Sequence, residues 1–213
     1  MTKKVMLVNG SPHEHGCTAR ALDEIERTLQ DEGVEVGRFW VGKKPIAGCI
    51  ACHYCADHEG QCVFHDVVNE FNEIAADYDG FIFGSAVHYA AATGAITSFM
   101  DRSFYSQALG GTDIYPLKPA ACVISARRAG TTATFDQLNK YFSILQMPII
   151  TSTYWNMVHG NTPEEVEQDA EGLRTMRVLA HNMAYFLRCR EAAEAAGVPM
   201  PPVEPPARTN FIR

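Results

Sequence analysis

Residues 5–8 form an unbroken apolar run that stops at Asn9, Gly10, Ser11 and Pro12. A short apolar run ended by turn residues reads as a buried parallel strand. The period then changes. Ala21, Leu22, Ile25 and Leu29 share one face of a helix predicted over 17–33, with Glu32 and Gly33 as its stop. VEVGRFWV at 34–41 predicts a second strand, and 66–76 a short helix. A third strand centres on 81–83 and runs into a loop ending near Tyr89. A helix follows over 93–104, a fourth strand and its loop over 119–130, a helix over 131–145, and a fifth strand over 147–154. The last helix is predicted over 163–190, with Thr162 as N-cap, Pro163 at its first position and acids in its first turn.

Strands alternating with helices imply an α/β domain with a parallel sheet wrapped on both faces. Five strands fit the doubly wound order 2-1-3-4-5. Residues 43–65 break the periodicity and form a long loop, which in a compact domain is usually functional. No internal repeat is visible. The organisation is therefore a domain over 1–190 carrying the loop 43–65, then an arm over 191–213. Five prolines after Gly197 make that arm stiff and extended, able to lie on its own domain or on a neighbouring subunit.

Composition narrows the class. With 46% apolar residues among 213, the chain can bury a substantial core. A net charge of −7 argues against nucleic acid or an anionic membrane as the main partner. The first apolar run is too short for a signal peptide, and no run is long enough to span a bilayer. The expectation is a cytoplasmic protein with mostly reduced thiols, in which clustered cysteines mean metal or redox chemistry rather than structural disulfides.

Ligands of such sheets sit at strand ends, near the reversal of strand order, and three loops here occupy strand ends. The first is GSPHEHGCTA at 10–19. Its small residues admit an anion, and the Thr18 hydroxyl, His13 and the helix-start amides are candidate phosphate donors. It is neither a P-loop nor a GxGxxG turn, and alone it also reads as a plain strand-to-helix turn. The second is GSAVHYAAATG at 84–94, where a flat ring could lie on the backbone, or where His88 and Tyr89 simply pack at an edge. The third is SARRAGTT at 125–132. Its two arginines could stabilise negative charge on a reduced ring, although at least one is expected to be solvated or paired with an acid.

Together GSPHEHGCT, GSAVHYAAATGAITSFMDR and SARRAGTT resemble the three flavin-binding loops of the NADPH-dependent FMN reductase family, in the flavodoxin-like superfamily. The pattern C-x2-C-x2-C-x6-C at Cys49, Cys52, Cys55 and Cys62 resembles the cysteine motif of the iron–sulfur flavoprotein subgroup. The resemblance covers roughly residues 3–155. It implies a phosphate of FMN on Ser11, His13, Gly16, Cys17, Thr18 and Ala19. The ring and ribityl chain would meet Ser85, Ala86, Val87, His88 and Tyr89, and Ser125, Ala126, Arg127, Arg128, Ala129 and Gly130. Two positions depart from the family pattern: Cys17 replaces an Asn and Ala86 a Pro, while the first loop lacks a Lys or Arg near His13. Cys17 is expected to offer only its backbone N–H.

The cysteines themselves leave three possibilities open. Sulfurs spaced by threes can converge on three corners of a cubane, with Cys62 closing the fourth. Nearby His53, His58 and His65 keep a mixed zinc site possible. Free thiols are the third. Cys122 and Cys189 read as buried hydrophobes, and Trp155 as core. No obligatory acid or base is nominated; His88 and Tyr89 are the candidates nearest the expected ring. The leading expectation is an FMN-dependent NAD(P)H oxidoreductase serving a quinone, a nitro or azo compound or a redox protein, directly or through a [4Fe–4S] cluster. The alternatives are a non-enzymatic electron carrier reduced by ferredoxin and a thiol or metal redox sensor. A homodimer or homotetramer is expected.

Overall fold

The computed structural model describes residues 2–202 together with Glu204, Ala207, Thr209 and Phe211. Strand β1 (Lys4–Asn9) runs parallel to β2 (Glu35–Trp40) on one side and to β3 (Gly80–His88) on the other. Beyond β3 lie β5 (Ala120–Ala126) and β6 (Met157–His159), both parallel. The order β2-β1-β3-β5-β6 is the flavodoxin-like 2-1-3-4-5 of the five parallel strands. A sixth strand was not expected: β4 (Ala91–Ala92) folds back antiparallel on the end of β3.

Period-two alternation assigns each strand residue to a face. Met6, Val8, Phe81, Phe83, Cys122 and Ile124 enter one core, beneath α2 (Val67–Ala75), α3 (Gly94–Leu109) and α4 (Thr131–Ile144). Val5, Leu7, Ile82, Ala121 and Val123 enter the other, beneath α1 (Cys17–Asp31) and α6 (Ala170–Ala195). Both faces are covered, which is why the strands read as continuous apolar runs. The first core is aromatic: Phe71 meets Phe39, Phe81, Phe83 and Phe99 at centroid separations of 5.0–6.4 Å.

Several expectations are corrected. The fifth parallel strand is 157–159, not 147–154. Ile149 makes only an isolated bridge to Ala120. The chain then turns at Ser152, whose hydroxyl donates to Tyr154 O and Asn156 Oδ1, before rejoining the sheet at Asn156. The final helix is split into α5 (Pro163–Val166) and α6, because Asp169 breaks the run and caps α6 through Gly172 N at 2.9 Å. Helix α6 also continues past 190 to Ala195. Trp155, in the turn before β6, is 48% exposed and packs edge-on to Tyr154 rather than in the core. Cys122 is buried as expected, but Cys189 lies on the exposed side of α6. Residues 198–202 are exposed and irregular; Val203, Pro205, Pro206, Arg208, Asn210, Ile212 and Arg213 of the predicted arm fall outside the described residues. No helix among the described residues is long and apolar enough to cross a membrane.

Candidate functional site

The three loops predicted from sequence leave the carboxyl ends of β1, β3 and β5, which are neighbours in the sheet, with Asn9 opposite Gly84 and Ala86 opposite Ser125. Specific contacts draw them together. The Thr18 and Ser125 hydroxyls lie 2.7 Å apart, tying the first loop to the third. Thr93 Oγ1 donates to Gly10 O at 2.9 Å, and Thr93 N donates to Ser85 Oγ at 3.2 Å, tying the first to the second. Gly130 closes the set. Its φ is +96°, and a Cβ there would stand 2.6 Å from Ala90 Cα, so only glycine permits this approach of the third loop to the second.

Helix capping singles out the first and third loops. Helices α2, α3, α5 and α6 begin with a side-chain cap from Asp66, Thr93, Thr162 and Asp169. Helices α1 and α4 begin at Gly16 and Gly130 with none, and neither has an acid in its first turn. Uncapped first-turn N–H groups attract anions, and both lie beside the converging loops. The first loop is held open from below: Asn9 donates to Glu14 O and accepts from Ser11 N, while Trp40 Nε1 donates to Ser11 O at 2.9 Å.

The predicted side chains divide by exposure. His13, His88, Tyr89, Arg127, Arg128 and Ala129 are exposed. Neither arginine makes a hydrogen bond or ion pair among the described residues. Ser11, Thr18, Ala19, Ser85, Ser125 and Ala126 are buried. The hydroxyls of Thr18 and Ser85 are engaged within the protein, so these positions offer backbone rather than side chain. Cys17 is half-buried. Its Sγ turns away to donate to Gly160 O at 3.5 Å, and burial, with Glu165 and Glu164 nearby, pushes the thiol up. Tyr89 and Ala90 form the two-residue turn between β3 and β4 with φ of +51° and +58°. Such a turn normally uses Asn-Gly. Strained non-glycine residues of this kind cluster at functional sites, and Tyr89 stands fully in solvent.

The four clustered cysteines also come together. Cys49, Cys52, Cys55 and Cys62 line one small cavity of about 20 Å³, with Phe64, Arg102 and Tyr105 among its walls. Burial, followed by the neighbouring Cys62, Cys49 and Cys52, pushes the Cys55 thiol up. Among the described residues no group of His, Cys, Asp or Glu is gathered as if round a metal ion. Four thiols are a donor set that an iron–sulfur cluster and a structural zinc ion both take.

Nothing in the chain's local pattern points to what surrounds Cys62. Arg102 on α3 has a fully buried side chain. Its Nη atoms donate to both oxygens of Asp66 at 2.7 and 2.9 Å, and its Nε donates to Cys62 Sγ at 3.2 Å. Burial presses the guanidinium toward deprotonation, but Asp66 and Cys62 outweigh it and hold its pKa above the usual value. Asn69 clasps the Cys62 backbone at both ends, accepting from its N at 2.8 Å and donating to its O at 2.9 Å. Of these, only Asp66, a cap residue before a helical pattern, carried any signal in the sequence.

A family model described as NADPH-dependent FMN reductase matches residues 3–162. An iron–sulfur flavoprotein of Methanocaldococcus jannaschii is 28% identical over 190 residues, covering 87% of this chain and 97% of that protein. An FMN reductase (NADPH) of Pseudomonas putida is 28% identical over 97 residues, 46% of this chain and 45% of that protein. Among solved structures, RosB with bound 8-demethyl-8-formylriboflavin-5′-phosphate matches with a TM-score of 0.67 at 13% identity, covering 100% of this chain and 94% of that chain.

Proposed function

The chain belongs to the NADPH-dependent FMN reductase family, and on that premise we propose that it is an FMN-dependent oxidoreductase taking electrons from NAD(P)H and passing them to a quinone, a nitro or azo compound or a redox protein. The observation that carries this is the convergence of three strand-end loops, tied by Thr18 to Ser125 and by Thr93 to Gly10, two of which run into helices that begin without a side-chain cap. FMN, when bound, supplies the electron transfer itself. The backbone N–H groups of Cys17, Thr18 and Ala19 bind the phosphate, with His13 exposed at the mouth. The buried contact between Thr18 and Ser125 keeps phosphate loop and ring loop at a fixed separation. Residues 85–89 and 125–130 hold the ring, and Arg127 and Arg128, without partners among the described residues, offer positive charge to it. His88 and Tyr89 border the entry for nicotinamide. RosB, a protein of the same fold, binds a riboflavin phosphate, which supports a site of this kind.

In this proposal Cys49, Cys52, Cys55 and Cys62 hold a [4Fe–4S] cluster, which supplies one-electron transfer when bound. Two things support it: the four thiols share one cavity, and a relative spanning nearly the whole chain is named an iron–sulfur flavoprotein. Seven cysteines free of disulfides fit a reducing cytoplasmic setting. The arm after Gly197 is assigned to a homodimer or homotetramer contact; deleting 198–213 tests it by sedimentation and flavin content.

The decisive experiment purifies the full chain without oxygen and records its absorption, iron and sulfide. NADPH and NADH oxidation then follow, with quinone and nitro acceptors. Flavin bands with acceptor-dependent NAD(P)H turnover are expected. Flavin-loaded protein that ferredoxin reduces but neither nicotinamide does would select the electron-carrier reading instead.

A further inference from the structure

We propose that Arg102 is a positioning residue for Cys62, holding its sulfur as the fixed and electronically distinct corner of the cysteine quartet. This builds on the proposed electron-transfer role of the cysteine loop. Four observations converge on one side chain. First, Arg102 is wholly buried, yet it comes from α3, an element outside the loop. Second, its two Nη atoms are fully occupied, by Asp66 and by the carbonyls of Phe64 at 3.2 Å and Ala47 at 3.5 Å. The planar fork therefore cannot rotate, and its remaining N–H points at Cys62 Sγ. Third, Asn69 fixes the Cys62 backbone in both directions. Fourth, the other three sulfurs receive no side-chain donor among the described residues, and Cys49 and Cys52 are exposed.

An N–H bond to a ligating sulfur stabilises the more negative state of whatever that sulfur holds, and hydrogen bonds to sulfur are among the terms that set cluster potentials. The chemistry requires arginine. A lysine ammonium would keep the charge near Asp66 but has no planar fork to aim a second, fixed donor. The competing account is that Arg102 only staples the loop to α2 and α3 through Asp66, with the sulfur contact incidental.

The test has two arms. In the first, the full chain and its Arg102→Lys and Arg102→Gln variants are loaded with iron and sulfide, and the cluster potential is titrated. Both variants are expected to shift to lower potential than the parent protein. A Lys variant matching the parent would mean charge alone matters and would overturn the proposal. The second arm needs no cluster. In iron-free ¹⁵N-labelled protein, the Arg102 Nε–H resonance is followed in Cys62→Ala and Cys49→Ala. A shift with the first substitution and none with the second is expected. An Arg102 resonance indifferent to Cys62 removes the inference even if Arg102 variants fail to fold. If the parent protein takes up no iron, the cluster reading fails by itself, and the resonance arm still decides whether Arg102 holds the Cys62 sulfur.

Discussion

Replacing Asp66 with Asn removes one charge from the pair with Arg102 and little else. Asn is as good an N-cap as Asp, so the bond from Val68 N to the cap at 3.1 Å survives. The two partners are unequally placed: the Arg102 side chain is 0% exposed and that of Asp66 is 32% exposed. Without Asp66 the guanidinium stays buried with no counter-charge, and breaking a buried pair in this way costs about 3–5 kcal/mol. The lower end applies, since an amide oxygen still accepts one bond. A loss of about 3 kcal/mol corresponds to a Tm drop of about 6–12 °C in a domain of this size. Arg102→Met strands the other partner, but Asp66 can reach water, so its cost should be smaller. The pH dependence has a definite sign. Burial pushes the Asp66 carboxyl up, but the Arg102 bonds, the Val68 amide and the Arg102 charge overcome this and hold it below the usual carboxylate range. The stabilisation is thus complete above about pH 4, the unfolded value, and is lost as pH falls through the lower folded value. Asn carries no proton, so the gap between parent and Asp66→Asn should close in acid. Urea unfolding followed by circular dichroism from pH 3 to 7 measures both effects. A gap that stays constant over that range, or an Arg102→Met variant less stable than Asp66→Asn, would refute charge compensation as the cause.

Other substitutions probe the proposed flavin site. Gly130→Ala puts a Cβ at φ +96° against Ala90; it should cost upwards of about 1 kcal/mol and strip flavin on gel filtration, seen as lost visible absorption. Ser125→Ala leaves the buried Thr18 hydroxyl without its partner and should lower stability by about 1–3 kcal/mol in urea; an unchanged midpoint would show that the contact contributes nothing. Ala90→Gly relieves a left-handed residue and should raise stability by about 0.5–1 kcal/mol, after the entropy cost of glycine. In iron-free protein, a thiol reagent should modify exposed Cys49, Cys52 and Cys189 first. Cys122 should react last, because complete burial pushes its thiol far up; early labelling of Cys122, identified by peptide mass, would contradict the fold.

What the sequence disclosed followed from local pattern. Buried parallel strands announce themselves as unbroken apolar runs, so residues 5–8, 81–83 and 120–124 were legible. The same rule misled at 147–150. That run is apolar because it packs at the sheet edge, with a single bridge at Ile149, whereas the true strand of three residues is too short to show a period. Asp169 falls inside the single helix expected over 163–190, and only its bond to Gly172 N reveals a cap. Loops rich in glycine and serine at strand ends marked the candidate flavin site, and the cysteine spacing marked the second cavity. Arg102 was invisible. In SFMDRSFY a charged residue reads as the solvent face of α3, and its burial depends on Asp66, 36 positions away.

That hidden residue changes how the two candidate sites relate. Helix α3 begins at Thr93, whose hydroxyl accepts from Ile96 N and donates to Gly10 O, while its N–H reaches Ser85. Its first turn is thus built into the convergence of the three candidate flavin loops. Arg102 lies nine positions further along the same helix, about 14 Å by helical rise, and meets Cys62. One rigid element therefore spans from the loops to the thiol cavity. A cavity formed by a long irregular loop gains a fixed reference only through such an anchor, since Cys49 and Cys52 sit on exposed chain. Electron exchange between two centres demands a constant separation more than it demands any particular acid or base. Under the proposed function, a buried arginine aimed from the helix that closes one site into the sulfur of the other would supply that constancy.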